Sequence, residues 1–191
     1  MRGARVTLRT TTEADLADHL RWHADAALTA WMPERPRPQS LDQRKEWLKE
    51  TAKDRANTHF EIAEGDAHVG FCSYMYMWPP LARMWTVRTF FLAPEARGRG
   101  LGLDAARALH RFLVDYHGLE RGDAWLYRDD VAGRGLLAAL GYVEYAHGHD
   151  VFYREGRYWD DWRGYLDASE FRRRFPEERE YPDATSSAAT A

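Results

Sequence analysis

One six-residue turn, Arg97-Gly98-Arg99-Gly100-Leu101-Gly102, constrains this chain more than any other stretch. A strand-like run, Met84 to Leu92, precedes it, and a helix-like run reaching Tyr116 follows. Three glycines at alternate positions leave backbone amides bare. A helix start adds unpaired N–H groups and the positive end of the helix dipole. Two arginines add charge. The turn therefore suits an anionic ligand, a diphosphate before others. The alternative is a helix-capping turn that binds nothing.

The rest of the chain sets the frame. Apolar residues are 45% and charged residues 30% of 191, ordinary values for one globular domain. A net charge of -3 gives no bulk footprint for nucleic acid. Cys72 is the only cysteine, so an intramolecular disulfide and a multi-cysteine metal site are excluded. Neither an apolar export signal nor a bilayer-length apolar run is found, so a cytoplasmic protein is expected.

Along the chain, Val6 to Leu8 reads as a first strand. Thr12 and Asp15 stand at capping-box spacing, so a helix is expected from Glu13. Ala26 to Trp31 reads as a second short helix, and Pro33, Pro36 and Pro38 demand an irregular loop. Ser40 and Gln43 cap a helix over Leu41 to about Arg55. The period then changes from about 3.6 to 2. His59 to Ala63 and His68 to Met77 read as strands joined through Glu64-Gly65-Asp66. Trp78-Pro79-Pro80 closes the second of them. Gly118 stops the helix after the glycine turn, and Ala124 to Tyr127 is a strand. Asp129 or Asp130 caps a helix that Gly141 ends. Strand-like runs over 142–153 and 158–166 flank a turn at 154–157, and residues 169–175 form a last helical turn. The expected fold is a mixed α/β (α+β) domain over residues 1–175, with a disordered tail over 176–191.

Three phosphate-binding readings compete. A Walker A loop needs Gly-x4-Gly-Lys-Ser/Thr, which is absent. Gly100-Leu101-Gly102-Leu103-Asp104-Ala105 satisfies a dinucleotide fingerprint formally. Its context is wrong, because Ala93 to Arg97 separate strand from glycines and no acidic residue follows at the required place. The third reading uses more of the chain. Pro94-Glu95-Ala96-Arg97-Gly98-Arg99-Gly100-Leu101-Gly102, between strand and helix, resembles the acetyl-CoA motif of the GCN5-related N-acetyltransferases (GNAT). Asp130 to Tyr142, ending Leu140-Gly141-Tyr142, resembles that family's second motif helix. Gly156-Arg157-Tyr158-Trp159-Asp160 resembles the final hairpin of the branch acting on ribosomal-protein N-termini, polyamines and antibiotics.

The resemblance implies a central, mostly antiparallel twisted sheet of about seven strands flanked by helices, with a V-shaped splay between the fourth and fifth. Acetyl-CoA is then the co-substrate, and no metal is expected. Arg97, Gly98, Arg99, Gly100, Leu101 and Gly102 would hold the pyrophosphate. The pantetheine would pair with the main chain of Phe91 and Leu92, with Asp130 and Gly133 on the second motif helix nearby. An N–H near Phe91 would polarise the thioester carbonyl. The family's usual acid and base positions are not filled. The strand before the loop lacks a carboxylate, and Leu137 and Gly133 stand where Tyr or Ser is common. Tyr127 is the candidate proton donor. His59 and Glu61, on one strand face by alternation, are candidate bases. Glu61 should be either exposed or functional, since an unpaired carboxylate on a core face is costly. Trp22, Trp31, Trp78 and Trp159 are candidate acceptor contacts, with Glu34, Asp160 and Asp161 as acidic attractors. His147 and His149 are expected to face solvent rather than bind metal. The acceptor is expected to be a small-molecule amine and the protein a monomer or homodimer. A protein N-terminus as acceptor, and a non-catalytic acyl-CoA-binding module, are the alternatives.

Overall fold

The computed structural model describes residues 1–26, 28–32, 39–76 and 83–176. The expectations for the proline loop, Glu34, Trp78 and the tail beyond residue 176 lie outside the described residues. In chain order the elements are β1 (Thr7–Arg9), α1 (Leu16–Ala24), α2 (Leu41–Lys53), β2 (Asn57–Glu64), β3 (Ala67–Tyr76), β4 (Met84–Leu92), α3 (Leu101–Arg111), β5 (Arg121–Tyr127), α4 (Val131–Leu140), β6 (Val143–Ala146), β7 (Phe152–Arg154), β8 (Arg157–Trp159), β9 (Asp161–Asp167) and α5 (Ala168–Arg174). A seven-stranded sheet runs β1-β2-β3-β4-β5-β9-β6, and β7 and β8 form a separate hairpin. Among the described residues only β4 and β5 pair in parallel.

Local chemistry explains the helix ends. Ser40 Oγ accepts from the Gln43 N–H, and the Gln43 side chain returns a bond to the Ser40 N–H, which starts α2. Asp130 accepts from the Gly133 amide at 2.8 Å and caps α4. At 28–31 the chain forms turns instead of the expected helix. The run is too short to offset the cost of nucleating a helix.

The two sheet faces bury different residues. Leu101, Ala105, Leu109 and Leu113, on α3 and the π-helical turn after it, pack with Ile62, Cys72, Tyr74 and Trp85 in the main core. Each large apolar side chain buried this way contributes about 1.5–3 kcal/mol. On the opposite face Trp22 joins Phe71, Phe91 and Ala93 in a smaller cluster. Cross-strand register puts His59, Ser73 and Thr89 in one row on that face, and Glu61, Phe71 and Phe91 in the next.

The sheet opens at its centre. The β4–β5 ladder holds Met84, Trp85 and Thr86 against Arg121, Gly122 and Asp123, and then stops. Opposite Ser73 and Tyr74, strand β4 carries one extra residue, Arg88, so it bulges there. A bulge bends a strand and increases its twist, so β4 turns away from β5 just as pairing ends. This is the splay expected between the fourth and fifth strands.

Candidate active site

The glycine turn sits at the open end of this V. Gly98 and Gly100 have φ of 69° and 81°, left-handed values that side chains with a Cβ resist. Gly100 is the N-cap of α3, and a Cβ on either residue would point into open space. The amides after Gly100 therefore lie bare at the start of an amphipathic helix. Arg97 Nε donates to the Leu92 carbonyl at 2.9 Å, and its guanidinium lies 5.6 Å from the Phe91 ring centroid. That keeps Arg97 at the mouth of the V. The Arg99 side chain pairs with Glu64 at 2.6 Å, and its carbonyl takes Arg5 Nη1 at 2.7 Å. Leu101 buries its side chain in the core, leaving only main chain for a ligand.

The V offers main chain from one strand parity only. The Ala93 N–H donates to the Val69 carbonyl at 2.9 Å, toward β3. Main-chain groups alternate sides along a strand. Phe91 therefore also faces β3, and Phe90 and Leu92 face the V. The sequence reading that Phe91 offers its main chain is corrected by one position. The Phe91 side chain packs against Trp22 and Phe71 instead.

Asp130 and Gly133 serve α4 itself. Burial pushes the Asp130 carboxyl up, opposed by the Gly133 amide and by the charges of Arg134 and Arg97. A Cβ on Gly133 would lie 2.3 Å from Asp130 Oδ2, so a side chain there would have to shift the capping carboxylate.

Across the V, Tyr127 ends β5 on the face that carries Thr89 and Phe91 on β4. It is buried, and its hydroxyl meets no hydrogen-bond partner among the described residues. Its ring stacks on Phe152 at 4.2 Å. Trp31, Tyr127 and Trp159 meet mutually edge-on, with centroids 5.6, 5.9 and 6.3 Å apart. Three residues singled out separately in sequence thus converge. Phe152, the fourth ring, lay in a strand-like run with no signal to distinguish it. Trp22 does not join them: it is fully buried in the smaller core cluster. Of the acidic attractors, Asp161 is sealed by Trp125 Nε1, the Gly148 amide and Arg163. Asp160 holds His149 at 3.1 Å and the Asp150 amide. His147 and His149 are exposed, as expected.

Glu61 is neither exposed nor open to the V. Its oxygens take Thr11 Oγ1, His19 Nε2 at 3.0 Å and His68 Nε2 at 2.7 Å. Burial alone would push its carboxyl up; the bonds from His19 and His68 outweigh that and hold it at about 2. The His68 ring is shifted upward: burial opposes protonation, but Glu61 and Asp18 outweigh it. His19, Glu61 and His68 present ligand atoms within 4.8 Å of one another, a spacing compatible with a metal. However, Arg44 donates to His19 Nδ1. That nitrogen must present its lone pair, so the ring proton sits on Nε2 and points at Glu61. A metal at Nε2 would need the other tautomer. The group is an ion-pair cluster that ties α1 and α2 to the sheet. His59 lies elsewhere on that face, edge-on to Trp47 at 5.2 Å. It lines a groove of about 520 Å³ with Trp47, Ser73, Arg88 and Thr89.

Residues 5–143 match the family model described as the Acetyltransferase (GNAT) domain. That span is well over half of the chain, and the chain belongs to this family. Acetyl-CoA is accordingly its co-substrate, and acetyl transfer to an amine is its reaction class. No curated protein matches the chain. A spermidine N-acetyltransferase from Vibrio cholerae, solved with CoA and spermine, aligns with a TM-score of 0.80 at 20% identity over 88% of this chain and 98% of that one. A probable acetyltransferase aligns at 0.78 with 18% identity, covering 87% and 95%. A GNAT-family acetyltransferase from Bacillus anthracis aligns at 0.76 with 12% identity, covering 88% and 98%. At these identities the likeness is one of fold. Among the described residues no helix is long and apolar enough to cross a membrane.

Proposed function

We propose that the chain transfers the acetyl group of acetyl-CoA to a primary amine of a small molecule, inside the V between β4 and β5. The observation that carries this reading is the ladder that ends at Thr86–Asp123, with the left-handed glycine turn at the same opening. The amides of residues 98–102 and Arg97 take the pyrophosphate. The two amides of the pantetheine arm lie along Phe90 and Leu92 as an added strand, with the Leu92 carbonyl already held by Arg97. The thioester then reaches the bulge at Arg88, where an irregular ladder frees an N–H to polarise its carbonyl.

The amine attacks in its neutral form, and the tetrahedral adduct expels CoA thiolate. Tyr127 gives its proton to that sulfur and regains one from the adduct nitrogen. The edge-on rings of Trp31, Tyr127 and Trp159 suit an acceptor with an apolar or cationic body. The Arg157 guanidinium lies 3.6 Å from the Trp159 centroid, which supports that ring as a cation platform. The neighbour solved with spermine makes polyamines the first acceptors to try.

The test is a thermal shift followed by a product screen. Acetyl-CoA at a hundred times its Kd stabilises by about 2.7 kcal/mol, roughly 5–11 °C for a chain of this size. A folded protein that shows no shift and acetylates no amine would overturn the proposal.

A further inference from the structure

We infer that Thr89, Ser73 and His59 form the route by which the acceptor's proton leaves the V. This rests on the transferase reading above. An amine that arrives as an ammonium carries three protons, and the amide product keeps one. One of the other two goes to the CoA sulfur through Tyr127. The remaining proton must reach bulk water.

The β4 side offers one polar path. Thr89 stands directly beside the bulge at Arg88. Ser73 pairs with Thr89 across β3–β4, and His59 pairs with Ser73 across β2–β3. Directly opposed residues on antiparallel strands hold their Cβ atoms about 4.5–5.5 Å apart, so one water or none separates successive groups. All three side chains line the groove of about 520 Å³. Ser73 is 1% exposed, so it lies at the closed floor of the groove. A serine and a threonine each donate and accept at once, and an imidazole passes a proton between its two nitrogens. The neighbouring row gives no such path. Its Glu61 is sealed, and Phe71 and Phe91 are apolar. His59 faces charge from several elements. Glu50 and Lys53 come from α2, Asp54 from the turn after it, and Arg88 from β4.

The experiment follows CoA release from acetyl-CoA with spermidine and a panel of primary amines, across pH 6.5 to 10. The forms are wild type, His59→Gln, Ser73→Ala and Ser73→Thr. His59→Gln and Ser73→Ala should lower kcat near pH 7 by about 10-fold to 100-fold, within the range of general-base effects. The KM for acetyl-CoA should not move. The deficit should close as pH nears the ordinary amine value of about 10.4, because the acceptor then arrives neutral. Ser73→Thr should restore most of the rate. Variants that match wild type at pH 7, or that stay equally slow at every pH, overturn the route and leave the transferase reading intact. A wild type that releases no CoA with any amine overturns the transferase reading, and the route with it.

Discussion

Replacing Glu61 by Gln removes the charge at the centre of the cluster joining α1, α2 and the sheet. The carboxyl is held at about 2 against an ordinary value of 4.5. At 1.36 kcal/mol per unit, the folded state gains roughly 3 kcal/mol from keeping Glu61 ionised. The sign follows from the direction. A depressed carboxyl contributes fully above its unfolded value of 4.5, and the contribution is lost as pH falls through about 2. The raised His68 behaves oppositely: its contribution is full below 6.5 and is lost as pH rises through its folded value. Urea denaturation of wild type and Glu61→Gln, followed by circular dichroism, should show the variant less stable by roughly 3 kcal/mol at pH 6. Thermal midpoints should differ by roughly 6–12 °C. By pH 3 the gap should be less than half as large. A gap under about 1 kcal/mol at pH 6, the size of a surface pair, would refute the cluster account. So would a gap of the same size at pH 3. A fall in turnover with unchanged stability would return Glu61 to the chemistry.

Other perturbations separate donor binding, chemistry and scaffold. Tyr127→Phe keeps the ring on Phe152 and should lower kcat by about 100-fold with an unchanged KM for acetyl-CoA, read in steady-state kinetics. Gly100→Glu places a carboxylate and a disfavoured φ in the turn, and should abolish the acetyl-CoA thermal shift. Asp104 accepts the backbone N–H groups of Ala4, Arg5 and Val6, so Asp104→Ala should cost about 1–3 kcal/mol in urea denaturation. Asp130→Ala removes the α4 cap and should cost about 1 kcal/mol by the same measurement.

Much of the fold was legible because its signals are local. The run from Met84 to Leu92 is β4 with the ends expected, and Ser40–Gln43 forms the capping box its spacing announced. The glycine turn was legible as a helix start, and the structure adds the left-handed conformation of Gly98 and Gly100. What escaped depends on contacts between distant segments. Glu61 is satisfied by His19, forty-two residues away, so its local alternation said only which face it occupies. Arg99 is drawn to Glu64 across the β1 end of the sheet. The orientation of Phe91 is set by where β3 bonds to β4, which no periodicity reveals. Trp22 and Trp31 look alike in sequence; one fills the face beneath α1, and the other lies against Tyr127.

The central claim is that the V holds acetyl-CoA and delivers its acetyl group to an amine. A mass-spectrometric screen of acetyl-CoA against polyamines and other primary amines tests it most directly. The account predicts an acetylated amine and free CoA in equal amounts, both lost in Gly100→Glu. Folded wild-type protein that yields neither across the panel, or that yields both undiminished with Gly100→Glu, would contradict it.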